Sequence, residues 1–294
     1  MDKWQKPLLA VARFLLAALL CAALTGSLLA FSLQAVFDPD VYVATAEADA
    51  FVSALHTEVS DHLESEGLFY DLPHDVLKAA VPVQTVQAVA KERMASAYRT
   101  LCSGTTLPTV TLDPAPFKNT IDSFFETLPA EERPLDSDAS QTIAAELAES
   151  TALVMSIGIS DKLLSTAHPL FAETSPLRRV ANAGIWLLLA VVVLTAVSLI
   201  PFKSTLRQRV YGTVGALFIG SAIVAVPMWL FAGLDLPSKI AIGDSALREY
   251  VNGVLYTVLG RANTVATVAF VVTAVLLIAA VVWLVTEKNK KTAH

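Results

Sequence analysis

The chain has 294 residues, of which 54% are hydrophobic and only 16% charged. Its mean hydropathy is +0.58 and its formal net charge −6. Soluble domains carry roughly a quarter charged residues, so this balance excludes an ordinary soluble protein and points to a membrane.

The first element is an apolar run introduced by Lys3, Lys6 and Arg13. A secretory h-region is about 7–15 residues long, whereas a membrane-spanning helix needs about 20. Residues 8–36 meet the longer requirement, with residues 1–7 ahead of them. The cleavage signals are poor, because Leu33 stands two positions before Ala35 and a cut after Ser27 leaves more apolar chain behind it. Cys21 follows Leu20, where a lipoprotein signal requires a small residue. The segment is therefore expected to be an uncleaved anchor.

Residues 37–180 are expected to form a mainly helical domain. "FVSALHTEVSDHLESEG" aligns Phe51, Val52, Leu55, Val59 and Leu63 on one face, with Gly67 expected as the residue just past its end. "LPHDVLKAAV" starts at Pro73 and stops before Pro82. "VQTVQAVAKERMASAYRTLCSG" lines up Val86, Val89, Met94, Tyr98 and Leu101 and ends at Gly104. "TTLPTVTLDPAP" is the one extended stretch, because Pro108, Pro114 and Pro116 exclude a helix. "PFKNTIDSFFETL" then presents Phe117, Ile121, Phe124 and Leu128. A joint over Pro129–Asp138 leads to "QTIAAELAESTALVMSIG", and Ser160 caps the last piece, "SDKLLSTAHPLF".

Three further spans pass the same length test, at 181–200, 210–231 and 264–285. None contains Asp, Glu, Lys or Arg, and Pro227 is the one proline inside them. The fold class expected is an all-α membrane protein with four transmembrane helices and an extracytoplasmic helical domain. Residues 1–7, the loop 201–209 and the tail 286–294 share one side, and with Arg13 they hold nine basic and two acidic residues. The positive-inside rule places that side, with both termini, in the cytoplasm. Asp38–Arg179 then lies outside with nine basic and twenty-two acidic residues, a surface unsuited to nucleic acid. The outer loop 232–263 contains "SALREYVNGVLYTVLG", with Leu247, Val251, Val254, Leu255 and Val258 on one face. Packing of that face on the outer domain is preferred to a place on the membrane surface. Small residues form ridges at Ala18, Ala22, Gly26 and Ala30 on span one and at Gly212, Ala216 and Gly220 on span three. Such ridges allow close helix contact within the bundle or between subunits.

Candidates for chemistry are few. Glu58, His62 and Glu66 align at i, i+4, i+8 as a candidate metal or proton site, although a solvated polar stripe explains them as well. Asp71, His74 and Asp75 meet in "DLPHD" at a helix start, where carboxylates are also favoured by the helix dipole alone. His168 lies a short distance before span two and is the other candidate base. Asp38 and Asp40 in "DPD" suit calcium, but Asp-Pro is more often a turn. Nucleotide, zinc and serine-nucleophile signatures are absent from the sequence, so no cofactor is expected. Cys21 and Cys102 fall in a span and in the outer domain, so no disulfide is expected and Cys102 reads as semi-buried filling.

"DPDVY", "LPHDVL" and "VQTVQAV", following the first span, resemble a group of uncharacterised four-span membrane proteins of Gram-positive bacteria with a helical ectodomain. The resemblance covers about the first hundred residues and implies architecture, not activity. In topology the chain is also similar to lipoprotein intramolecular transacylases, without their paired histidines. The expected function is binding in a bacterial plasma membrane, as a sensor, scaffold or accessory subunit of an envelope complex. Its expected partners are the lipid bilayer and a membrane or envelope protein or a second copy. The alternative is an outer-surface enzyme acting on lipid or lipoprotein with a histidine base.

Overall fold

The computed structural model describes residues 5–129, 131, 138–200 and 205–292, with side chains from residue 10 to residue 286 within them. Asp2, Lys3 and Lys203, the side chains of Lys6, Glu287, Lys288, Lys290 and Lys291, and most of the Pro129–Asp138 joint lie outside the described residues. All regular structure among the described residues is helical. The chain divides into two units.

The first unit comprises Met1–Phe37, Glu173–Leu236 and Tyr256–His294. It contains helix α1 (Gln5–Gln34) and, as numbered along the chain below, α9 (Pro176–Asn182), α10 (Gly184–Leu199), α11 (Leu206–Gly233) and most of α12 (Ser245–Thr292). Three helices are long and apolar enough to cross a membrane, at Ala10–Phe37, Leu206–Gly233 and Ser245–Thr286. A fourth span exists if the pair α9 and α10, bent by 44°, counts as one. Phe14, Trp186, Leu230 and Ile278 are each more than 60% exposed, an apolar surface that a soluble protein does not carry. These are the features of a multi-pass membrane protein.

Inside this unit Leu20, Leu24 and Leu28 pack with Val191, Ala216, Val224, Ala225 and Ala266. Phe270 meets Phe218 and Trp229 at centroid distances of 5.2 and 5.0 Å. Ser221 pairs with Thr273 at 2.7 Å, and Ser198 pairs with Thr213 at 2.6 Å. Such small hydroxyl pairs join helices where no water is present to compete.

The expected span 181–200 is matched by α10 over Gly184–Leu199, with a 44° bend at its start where α9 ends. Neither proline nor charge causes the break. Gly184 lies against α1, where a Cβ would stand 3.3 Å from that of Ala30. Gln34 donates to the carbonyl of Ala181 at 3.1 Å, and Ser27 donates to that of Gly184 at 3.4 Å. Side chains of α1 thus take carbonyls at the bend, which offsets part of the cost of interrupting the helix.

The small-residue ridges behave differently from each other. Ala18 and Ala22 are exposed, so that half of the ridge makes no packing surface. Gly26 and Ala30 face α10, at Leu187 and Gly184, rather than span three. Gly212 is open, with nothing within 4 Å of a Cβ placed there. Ala216 is buried, and Gly220 lies close against α1: a Cβ there would lie 3.0 Å from the Cys21 carbonyl oxygen. Thr25 donates to the Gly220 carbonyl at 3.1 Å across the same contact.

The second unit comprises Asp38–Ala172 and Pro237–Leu255. Its helices are α2 (Pro39–Ala46), α3 (Asp49–Gly67), α4 (His74–Ala80), α5 (Val83–Ser103), α6 (Ala115–Thr127), α7 (Ala139–Val154) and α8 (Asp161–Phe171), with the first residues of α12. Asp38 caps α2 through the amide of Asp40 at 3.0 Å, so the "DPD" stretch serves as a helix start. The expected apolar stripe of α3 is buried throughout, at Phe51, Val52, Leu55, Val59 and Leu63. Of these, Phe51, Leu55, Val59 and Leu63 join Leu77, Met94, Phe117, Ile121, Leu147 and Met155 in one core. Gly67 is the last helical residue rather than a left-handed cap. It is needed for space, because a Cβ there would lie 2.9 Å from Leu77 Cδ1 and 3.0 Å from the Leu72 carbonyl.

The expected loop 232–263 and span 264–285 are not separate elements, since α12 runs unbroken from Ser245. Its start packs on the helical domain through the buried Ala246 and Tyr250, with Leu247 and Val254 of the expected face partly buried against the same core. Tyr250 stacks 5.3 Å from Phe51 and donates to the Tyr42 carbonyl at 3.3 Å. The first amides of α12 are satisfied from outside the helix. Glu58 accepts from the amides of Ser245 and Ala246 at 2.9 and 3.0 Å and from the Ser245 hydroxyl, and Asp244 takes the Leu247 amide at 2.7 Å. A carboxylate at this end also complements the helix dipole.

The Gly220 contact gives a direct test. Gly220→Leu forces apart backbones that touch, and is expected to lower stability in detergent by roughly 1–3 kcal/mol. Gly212→Leu, in open space, is expected to leave the melting temperature unchanged. Equal melting of both variants contradicts this packing.

Candidate functional site

The helical domain contains a cavity of about 970 Å³ between residues 107–114 and α7. Arg93 projects into it from α5. This arginine is only 8% exposed, a costly place for a charge unless its donors are satisfied. Its Nε donates to the carbonyl of Ser156 at 3.4 Å, Nη1 to Pro108 at 2.5 Å and Nη2 to Ile159 at 3.2 Å. No carboxylate reaches it at ion-pair distance among the described residues. Burial lowers its pKa from the ordinary arginine value, and the charge of Asp161 opposes that shift.

Two segments are shaped to meet this guanidinium. The turn after α7 carries Ile157 at φ 58° and Gly158 at φ 59°. A left-handed isoleucine costs on the order of 1–3 kcal/mol, and here it lies between Ser156 and Ile159, two of the three residues whose carbonyls accept from Arg93. Burial of its side chain, 1% exposed, helps offset that cost. The second segment is the strap from Leu107 to Leu112, held by Pro108 to Arg93 and by the Leu107 amide, which donates to Asp161 at 2.9 Å. Asp161 is the first residue of α8, capped by Ser160 through the Leu163 amide at 3.3 Å as the sequence suggests.

On the opposite wall, α7 offers Ala145, Glu149 and Leu153, spaced four residues apart and all exposed. Below them, Ala148, Ala152 and Ser156 leave space by being small. Glu146 accepts from the Tyr70 hydroxyl at 2.5 Å, a bond that pushes the phenol up to about 12. The cavity is thus apolar at its base, with a satisfied cation at one side and carboxylates at the rim.

The histidine candidates occupy other places. His74 pairs through Nε2 with Ser60 at 2.9 Å and through Nδ1 with Glu64 at 3.3 Å. Its carboxylate neighbour is therefore Glu64, and neither Asp71 nor Asp75 bonds to it. Asp71 instead adopts φ 52° at the turn before α4. His168 lies on α8 and donates from Nδ1 to the Leu101 carbonyl at 2.8 Å, which leaves Nε2 as an acceptor in the neutral ring. That atom is beside Gly104, at φ 72°, in a cavity of about 180 Å³ with Thr105, Asp161 and Ser165. His74 and His168 share neither partner nor cavity.

The triad Glu58, His62 and Glu66 is not assembled. The Glu58 carboxylate is committed to α12, and His62 Nε2 is buried without a hydrogen-bond partner. No group of three His, Cys, Asp or Glu residues suited to a metal occurs among the described residues. Cys21 and Cys102 are free and half-buried.

Sequence reasoning missed Arg93, although a signal was present. It falls on the buried stripe of α5, three residues after Ala90 and seven after Val86, where a charge is out of place. No protein-family model, curated protein or solved structure matches the chain.

Arg93→Met leaves the carbonyls of Pro108, Ser156 and Ile159 without their donor. The expected cost is about 2–5 kcal/mol in the unfolding of the detergent-solubilised protein. Arg93→Lys is expected to lose a substantial part of the same stability, since an ammonium does not reproduce a planar fork of donors. Unfolding of Arg93→Met at the wild-type denaturant midpoint contradicts the assignment.

Proposed function

We propose that the chain is a four-span protein of a bacterial plasma membrane, with both termini cytoplasmic and the helical domain outside. It acts by binding through that domain, as a sensor, scaffold or accessory subunit of an envelope complex. Basic residues concentrated in the short segments at 1–13, 201–209 and 286–294 support the orientation. Three apolar helices and one bent pair support the span count. The observation that carries the binding reading is the cavity of about 970 Å³ against Arg93, which has the size of a ligand site and an apolar base with a few fixed polar groups.

The second reading, an outer-surface enzyme on lipid or lipoprotein, is supported by His168, whose Nε2 faces a separate cavity as a potential base. Affinity purification from native membranes separates the two. Binding predicts a stoichiometric protein partner that still co-purifies with His168→Ala and His74→Ala. Loss of a lipid- or lipoprotein-modifying activity in His168→Ala, without any partner, favours the enzyme.

Orientation is tested by cysteine labelling in intact cells, in a Cys102→Ala background. The exposed position Thr57→Cys is expected to react with a membrane-impermeant maleimide, and Arg207→Cys only after lysis. The reverse pattern overturns the orientation.

A further inference from the structure

The strap over the cavity is an unpaired extended edge. Among the described residues, the backbone groups of Thr109, Val110, Thr111 and Leu112 make no hydrogen bond to the protein. Thr109 and Thr111 are exposed, while Val110 and Leu112 pack towards the core, the alternation of an extended chain. Three successive β-branched residues favour that conformation. Its first two residues are tethered, Pro108 by its bond from Arg93 and Leu107 by its bond to Asp161.

We propose that this edge binds an extended polypeptide segment of a partner protein, laid in the trough between the strap and α7 and paired with the strap backbone. The inference rests on the binding reading above and names its ligand class. Unpaired edges of this kind recruit another strand, because main-chain bonds supply affinity and alternate side chains supply selectivity. The strap spans roughly 20 Å at about 3.3 Å per residue, enough for five to seven peptide residues. Side chains turned inward meet Ala148, Ala152 and Leu153, which suits medium-sized apolar residues such as valine. Side chains at the rim meet Glu146 and Glu149, which suits lysine or arginine. A lipid chain would fill the same apolar base but leave the backbone edge unused, so peptide is the ligand the strap selects.

The test uses the full chain in detergent and a positional library of acetylated, amidated heptapeptides, read by fluorescence anisotropy. Library members with alternating apolar residues and a flanking basic residue are expected to bind. Methylating alternate backbone nitrogens of the best peptide, in either register, is expected to weaken binding at least tenfold in one register. Ala145→Trp fills the trough from an exposed position and is expected to weaken it at least tenfold, with the melting temperature retained. Glu149→Lys is expected to reduce the preference for basic peptides. The proposal is overturned if no heptapeptide binds, if both methylated registers bind as well as the parent, or if Ala145→Trp binds as wild type. It is also overturned if phosphatidylglycerol occupies the trough in place of peptide. A partner that co-purifies equally with wild type and Ala145→Trp would leave the binding reading standing and remove this site alone.

Discussion

A guanidinium held away from water must find acceptors, and in the helical domain Arg93 finds them in three backbone carbonyls. That requirement organises its surroundings. The turn after α7 takes a left-handed Ile157 and Gly158 beside two of the acceptors, and the strap is drawn down at Pro108 to supply the third. Because the bonds go to main chain rather than to a carboxylate, the cation ties together two segments with no regular structure of their own. The cavity is the space left between them and α7, whose alanines are too small to close it.

A second constraint closes the domain across the sequence. Glu58 on α3 caps a helix that begins 187 residues later, and Phe51, Tyr42 and Tyr250 pack beside that cap. The carboxylate that sequence spacing offers as a metal ligand is thus satisfied by amides. The start of α12 belongs to the domain core, while Tyr256 onward belongs to the apolar unit, where α1, α10 and α11 meet through leucines and close glycine contacts. One long helix therefore carries two kinds of surface, a packed aromatic face at its start and an apolar outer face beyond.

Much of this was legible in the sequence. The apolar stripes of α3, α5 and α6 repeat at helical period, and Gly104, Pro82 and Ser160 mark ends or starts where the structure has them. The bend between α9 and α10 was only partly legible: Gly184 marks its position, but the contacts that accommodate it, with Ala30, Ser27 and Gln34, come from α1. The continuity of α12 was not legible, because the amphipathic stretch from Ser245 and the apolar span from Thr264 have different patterns and read as two elements. Gly253 is forced by contact, since a Cβ there would stand 2.6 Å from the Thr45 side chain. Small residues alone did not give the orientation of α1: Ala18 and Ala22 face outward while Leu20 and Leu24 are buried. The candidate site was the least legible part, because Arg93 acts through backbone atoms brought from 15, 63 and 66 residues away.

The measurement closest to the central claim is amide hydrogen exchange of the full chain in detergent, wild type against Arg93→Lys. Local loosening without global unfolding is the expected signature of a cation that pins two irregular segments. Peptides covering 155–160, and the Leu107 amide that Asp161 holds, are expected to exchange faster in the variant, with α3 and α11 unchanged. Unaltered exchange in both segments, or a uniform rise across the chain, would contradict the account.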